Sequence, residues 1–241
     1  MTLEELRQAL QKAAAPEGVE WVREAEAAVA ADPTAVRVRF PAAGRKAGRG
    51  TLDPGADPAD VHAWTVDDAA RVLILAAMGE SAEPELAELY RFGDAAERRG
   101  VLRALPFVAL GDRGRGLLDD AIRTNDTRLV AAALGPYATE HLDDAAYDQA
   151  VLKCVFIGVP IAPLDGLPGR ATPETARMLA AFVHERVAAG RDIPAEVWDV
   201  IDRHPPEQEL ALIESERQSP FEDRRAAAER ALRDHHQGGV A

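Results

Sequence analysis

Thr65-Val66-Asp67-Asp68-Ala69-Ala70-Arg71-Val72-Leu73-Ile74-Leu75-Ala76-Ala77-Met78 opens with a hydroxyl and a carboxylate three residues apart and closes on seven apolar residues. A threonine oxygen can take the amide of the residue three ahead, while an acid there reaches back to the threonine amide. That pairing is a capping-box variant, and it predicts a helix from Thr65 through Met78. Its second half is apolar on every side, which is the pattern of a buried helix. Seven residues are far too few to span a bilayer.

The same logic extends in both directions. Upstream, Leu3, Leu6 and Leu10 recur at helical spacing, and a second helix around Trp21, Val22 and Val29 stops before Asp32-Pro33. Val36-Arg37-Val38-Arg39-Phe40 alternates with period two and is the one stretch that reads as a strand. Pro41 to Pro58, rich in Gly, Pro and Arg, reads as a long loop, either mobile or folded over a site. Downstream, Pro84 opens a helix carrying Leu86, Leu89 and Tyr90, and Asp94 with Glu97 makes another capping box. Helices follow over 116–124, 126–134 and 143–157, with Gly135-Pro136 as a stop. After a loop at 160–169, Pro173 starts a helix closed by Gly190, Pro194 starts another, and Ser219 to Glu222 caps a charged last one.

The expected fold is therefore all-α, an irregular array or bundle of antiparallel helices with at most one short strand region near 36–40. The expected divisions are 1–59, an amino-terminal helical pair with the long loop; 60–203, the helical core; and 204–241, charged helices and a tail.

Composition narrows the function. The chain has 241 residues and a formal net charge of −13, which repels nucleic-acid phosphates and anionic lipid. Cys154 is the single cysteine, so neither an intrachain disulfide nor a cysteine metal cluster can form within the chain. The first residues, Met1 to Leu6, lack a basic segment and a long apolar stretch, so the expected location is the cytoplasm. No phosphate loop, His-Glu-x-x-His or nucleophile elbow occurs, and His235-His236 reads as a solvated pair in a charged tail. No cofactor or metal is expected.

What remains is polar side chains on apolar faces. Arg186 falls inside the apolar arc of Ala176, Leu179, Phe182, Val183 and Val187, with Glu185 at its edge. Lys153 interrupts the apolar run Val151 to Ile157, expected to be buried, and shares a stripe with Gln149 one turn before. Arg71 leads Val72 to Met78, Asn125 falls on the face of Leu118, Ala121 and Ile122, and Glu97 on that of Val101. Each has a structural reading. Glu97 caps a helix, Asn125 shapes a turn, Arg71 and Arg186 pair with Glu97 and Glu185, and Lys153 snorkels. The functional reading is that they converge. Arg71, Lys153 and Arg186 against Glu97 and Glu185 leave one net positive charge, suited to an anionic or strongly polar small molecule.

From Trp64 to Trp198 the order of short motifs resembles the EboA family. The pieces are Trp64 with Asp67 to Leu75, Asp94 to Glu97, Leu102 to Pro106, Arg123-Thr-Asn125 and Pro136-Tyr137. They continue with Gln149 to Phe156, Gly166-Leu167 with Arg170, His184-Glu-Arg186, and Ala188 to Arg191. Two spots depart from the family: Leu134-Gly135-Pro136-Tyr137 where it usually reads Asn-Pro-Tyr, and Tyr147-Asp148-Gln149 where it tends to Trp-Asn-Gln. The resemblance implies a cytoplasmic component of a bacterial system that moves specialised-metabolite precursors. Its implied partners are a small-molecule precursor or other proteins of the same gene cluster, without nucleic acid or membrane insertion. It implies no reaction. With Arg123 and Arg191 from its motifs, the candidate ligand-binding set is Arg71, Glu97, Arg123, Asn125, Gln149, Lys153, Glu185, Arg186 and Arg191. Three readings stand: a non-catalytic binder or adaptor, an enzyme using Lys153 or Glu97 as acid–base, and a purely structural scaffold.

Overall fold

The computed structural model describes residues 1–79 and 82–238. Contacts divide the chain into two compact units, Met1–His141 and Leu142–Ala241. Both are helical; among the described residues no strand forms, and one isolated antiparallel bridge joins Thr51 to Thr65. No described helix is long and apolar enough to cross a membrane.

The first unit is organised by α4 (Val66–Ala76), which touches α1 (Leu3–Ala13), α2 (Pro16–Ala31), α3 (Val36–Lys46) and α6 (Ala95–Ala104). Its capping box is present: Thr65 Oγ1 accepts from the Asp68 amide at 3.4 Å, and Asp68 Oδ2 accepts from the Thr65 amide at 3.3 Å. Every residue from Val66 to Leu75 is buried. Burying a side chain such as Leu73, Ile74 or Leu75 contributes roughly 1.5–3 kcal/mol, which is why this segment takes the centre. On α6 pack α5 (Ala82–Phe92) and α8 (Thr127–Ala133), and α7 (Arg115–Arg123) joins α8 to α9 (Pro136–His141). Asp94 caps α6 and Asp126 caps α8, each with its side-chain oxygen.

Val36 to Phe40 is helical, contrary to its alternating pattern. Asp32 accepts from the Thr34 amide at 3.0 Å and starts a 3₁₀ turn at Pro33 that runs into α3. Val36 and Phe40, four apart, are both fully buried, whereas Val38 is 73% exposed. Residues four apart share a helix face, so burial of that pair outweighs the β-branched preference. The helix continues through Pro41 to Lys46, so the loop begins later than expected and runs over 47–64. Asp53, Asp57 and Asp60 each accept an amide two residues on, and Leu52 donates to the Trp64 oxygen at 2.7 Å, closing the loop on itself.

The second unit is organised by α12 (Pro173–Ala188). It touches α10 (Asp144–Ile157), α13 (Val197–Ile201), α14 (Glu207–Ser215) and α15 (Glu222–Gly238); α11 (Leu167–Arg170) is a single turn. Buried Asp148 accepts from Thr172 Oγ1 at 2.9 Å and Thr175 Oγ1 at 2.5 Å, tying α10 to the capping box that opens α12. At the other ends of these helices, Gly158 (φ 79°) and Gly190 (φ 69°) take the left-handed conformation that side-chain-bearing residues avoid.

Candidate functional site

On α4 and α6 the first unit encloses five charges, Asp67, Asp68, Arg71, Arg99 and Arg103. Arg71 Nη1 donates to Asp67 Oδ2 at 2.5 Å one turn back on α4, not to Glu97, and its guanidinium lies 5.5 Å from the Phe40 ring centroid. Its stem fits against Gly100, where an added Cβ would come within 2.6 Å of Arg71 Cδ. Asp68, fully buried, accepts from Arg99 Nε at 2.9 and 3.0 Å and from Arg103 Nη1. Arg103 also donates to the His62 and Ala63 oxygens at 3.1 and 3.0 Å and lies over the Trp64 ring at 4.7 Å. Burial pushes the Arg103 pKa down to about 10, opposed by Asp68. These bonds pin the 47–64 loop onto α4 and α6. The sequence shows the acids Asp67 and Asp68 only as part of a cap. The missed signal is Arg99 and Arg103, four apart and therefore on one face of α6.

The other candidates of this unit hold local positions. Glu97 completes the α6 cap by accepting from the Asp94 amide at 3.0 Å. Arg123 ends α7 and Asn125 lies between α7 and α8; both are exposed, so Asn125 does not join the Leu118 face.

In the second unit the remaining candidates follow the seam between α10 and α12. Gln149 Nε2 approaches Met178 Sδ at 3.6 Å near one end, and Phe156 meets Phe182 at 5.7 Å between ring centroids near the other. Lys153, half-buried, stands one turn from each on α10. Contrary to the expectation of a wholly buried run, Phe156 is 69% exposed, because α10 is covered on some sides only. Cys154 is fully buried on the opposite side, and burial pushes its thiol up to about 12.

Beyond Phe156 the seam opens into a groove of about 610 Å³. Val155, Phe156, Phe182, Ile193 and Pro194 supply apolar surface, and Glu185, Arg186 and Arg191 stand among its polar lining. Arg186 does not pair with Glu185. Its Nε and Nη2 donate to the main-chain oxygen of Asp192 at 3.1 and 2.9 Å, which folds the chain back after Gly190. The carboxylate of Asp192 is taken by Arg230 at 2.7 Å. Among the described residues Lys153, Arg186 and Arg191 form no ion pair, as is true also of Arg39, Arg91 and Arg203. Both α10 and α12 end at the groove, so their carbonyl ends face the same cations favourably. The groove therefore joins aromatic surface to Arg186, fixed on a main-chain oxygen, and to exposed Arg191, with the carboxylates of Glu185 and Asp192 also in its lining.

The structure thus brings Glu185, Arg186 and Arg191 to one groove, with Lys153 and Gln149 along the seam behind it. Arg71, Glu97, Arg123 and Asn125 belong to the other unit. His235, expected in a solvated pair, stacks on Trp198 at 4.3 Å; the side chain of His236 lies outside the described residues.

No curated protein and no solved structure matches the chain. Residues 2–202 match the family described as metabolite traffic protein EboA. That span covers most of the sequence and takes in α10, α12 and the groove, and the chain belongs to the EboA family of metabolite traffic proteins.

Proposed function

We propose that the chain is a non-catalytic binding protein of the cytoplasm, holding an amphipathic, anionic metabolite precursor in the groove at the end of the α10–α12 seam. The observation that carries this reading is the pairing of solvent-open Phe156 with Arg186 and Arg191, which form no ion pair among the described residues. An external anion would supply these two guanidinium groups with the charge partner they lack, beside the apolar surface of Phe156 and Phe182. The groove's size is within the range of small-molecule sites, roughly 300–1,000 Å³.

The acid–base alternative is less well supported. Glu97 already accepts an amide at the start of α6, and Lys153 stands half-buried on α10, in the other unit. For Arg71 the short ion pair to Asp67 supports a structural part.

The test uses 1-anilinonaphthalene-8-sulfonate, an aromatic anion, against its uncharged analogue N-phenyl-1-naphthylamine. Saturable binding of the sulfonate that weakens at least tenfold in Arg186→Ala/Arg191→Ala, with the neutral analogue little affected, is expected. Equal affinity of the variant and wild type for the sulfonate would remove the groove from consideration.

A further inference from the structure

The carboxyl-terminal helix α15 makes an unusual attachment. Among its residues whose exposure is described, only Ala227, Ala228 and Ala231 are buried. Three methyl groups remove little apolar surface from water, so the hydrophobic hold on this 17-residue helix is weak. Polar and aromatic contacts supply the rest. Arg230 Nε donates to Asp192 Oδ1 at 2.7 Å, and Trp198 Nε1 donates to the Ala231 oxygen at 3.1 Å. The His235 ring stacks on Trp198 at 4.3 Å with 18° between planes, and its Nε2 lies 2.7 Å from Asp202 Oδ1. At its first turn, Asp223 packs so close to Gly190 that a Cβ there would stand 3.0 Å from Asp223 Oδ2.

Gly190, Asp192, Trp198 and Asp202, the partners in these contacts, lie within the segment that matches the family, and all of α15 lies beyond it, as do Glu216 and Ser219, which accept from Arg224 and Arg225 at its start. Asp192 is also the joint between the helix and the groove. Its side chain holds Arg230 of α15, and its main-chain oxygen holds Arg186. Asp192 and Ile193 line both the groove and a separate cavity of about 280 Å³ against Ala227, Arg230 and Ala231.

We propose that α15 is a releasable latch whose docking on the Trp198 face fixes the Asp192–Ile193 wall of the groove. Local opening energies differ across a fold, and an element held by few apolar contacts opens first. Because Asp192 bonds in both directions, release of α15 loosens the wall, and by linkage an occupant that rigidifies the wall strengthens docking of α15. The inference concerns the wall itself and does not depend on what the groove binds.

Hydrogen–deuterium exchange on the full chain tests it. In the wild type, amides of α15 should exchange at least tenfold faster than those of α12. Arg230→Ala, a change at a half-exposed side chain, should raise exchange in α15 and at Gly190 to Ile193 by threefold or more, leaving the middle of α12 unchanged. Arg230→Ala/His235→Ala should raise it further. Exchange of α15 and α12 at one common rate in wild type and both variants would show α15 to be part of the core and overturn the proposal. So would faster exchange of α15 with the 190–193 amides unaltered. Loss of 1-anilinonaphthalene-8-sulfonate binding bears only on the groove reading, so the two can fail separately.

Discussion

Arg186 places two donors, Nε and Nη2, on a single acceptor, the main-chain oxygen of Asp192. A carbonyl fixes the guanidinium in direction but leaves its full charge in place, which a carboxylate partner would cancel. Arg186→Ala is therefore expected to cost only about 1 kcal/mol for the two exposed bonds. Arg191→Ala, at an exposed side chain, should stay within roughly 0.5 kcal/mol of wild type. Both should still lose the aromatic anion in titration. Denaturant unfolding beside binding separates these effects, and a folding defect that accounts for the lost binding would count against the groove.

Asp68 should behave oppositely. It is fully buried and accepts from both Arg99 and Arg103, so Asp68→Ala strands two enclosed cations. Stranding one partner of a buried pair costs about 3–5 kcal/mol. Adding Arg99→Met and Arg103→Met to Asp68→Ala should recover part of that loss. A single variant as stable as wild type in urea would mean that the network contributes nothing.

Gly100→Ala tests the seating of Arg71. The new Cβ would meet Arg71 Cδ at 2.6 Å, and Arg71 is only 3% exposed, so it has nowhere to retreat. Overpacking of this kind costs about 1–3 kcal/mol. A thermal melt of the variant overlying the wild-type curve would show the site to be slack.

Lys153 and Glu97 belong to different units, so their effects should add. Glu97→Gln weakens one capping bond and should cost at most about 1 kcal/mol. Lys153→Met, at a half-buried position without an ion pair among the described residues, should alter stability by roughly 0.5 kcal/mol or less. A double variant departing from the sum by more than about 1 kcal/mol would show that the two residues are coupled after all.

Cys154 gives a pH prediction. The buried thiol ionises near 12, against an ordinary value of 9.0, so above pH 9 the unfolded chain releases its proton first. The folded state then binds more protons, and stability must fall as pH rises from about 9 toward 12, by at most roughly 1.4 kcal/mol per pH unit. Tyr147, pushed by burial up to about 12, acts in the same sense, so the comparison to make is wild type with Cys154→Val. The variant should show a shallower loss over that window in urea titrations; parallel curves would mean that the thiol is not the titrating group.

Local chemistry made much of the fold readable. Caps such as Thr65–Asp68 and Asp94–Glu97 involve atoms three residues apart, so the sequence alone sets the helix starts, and the left-handed Gly190 marks the end of α12. The exposed or buried fate of a helix face is a different matter, because it depends on what else packs there. Val36 to Phe40 became a helix because α4 covers the Val36–Phe40 face, and Phe156 remained open because α10 has cover on only part of its surface. Pairing was least legible of all. Asp68 meets Arg99 and Arg103 across more than thirty residues, and Arg186 takes a main-chain oxygen that no side-chain pattern encodes. The sequence by itself determined an all-α chain and a set of polar side chains on apolar faces, a set that lacked the enclosed Asp68, Arg99 and Arg103 and held the exposed Arg123 and Asn125. Tertiary structure decided which of them are closed off in ion pairs and which stand charged at a groove, since partner choice for a buried charge depends on distances that only packing sets.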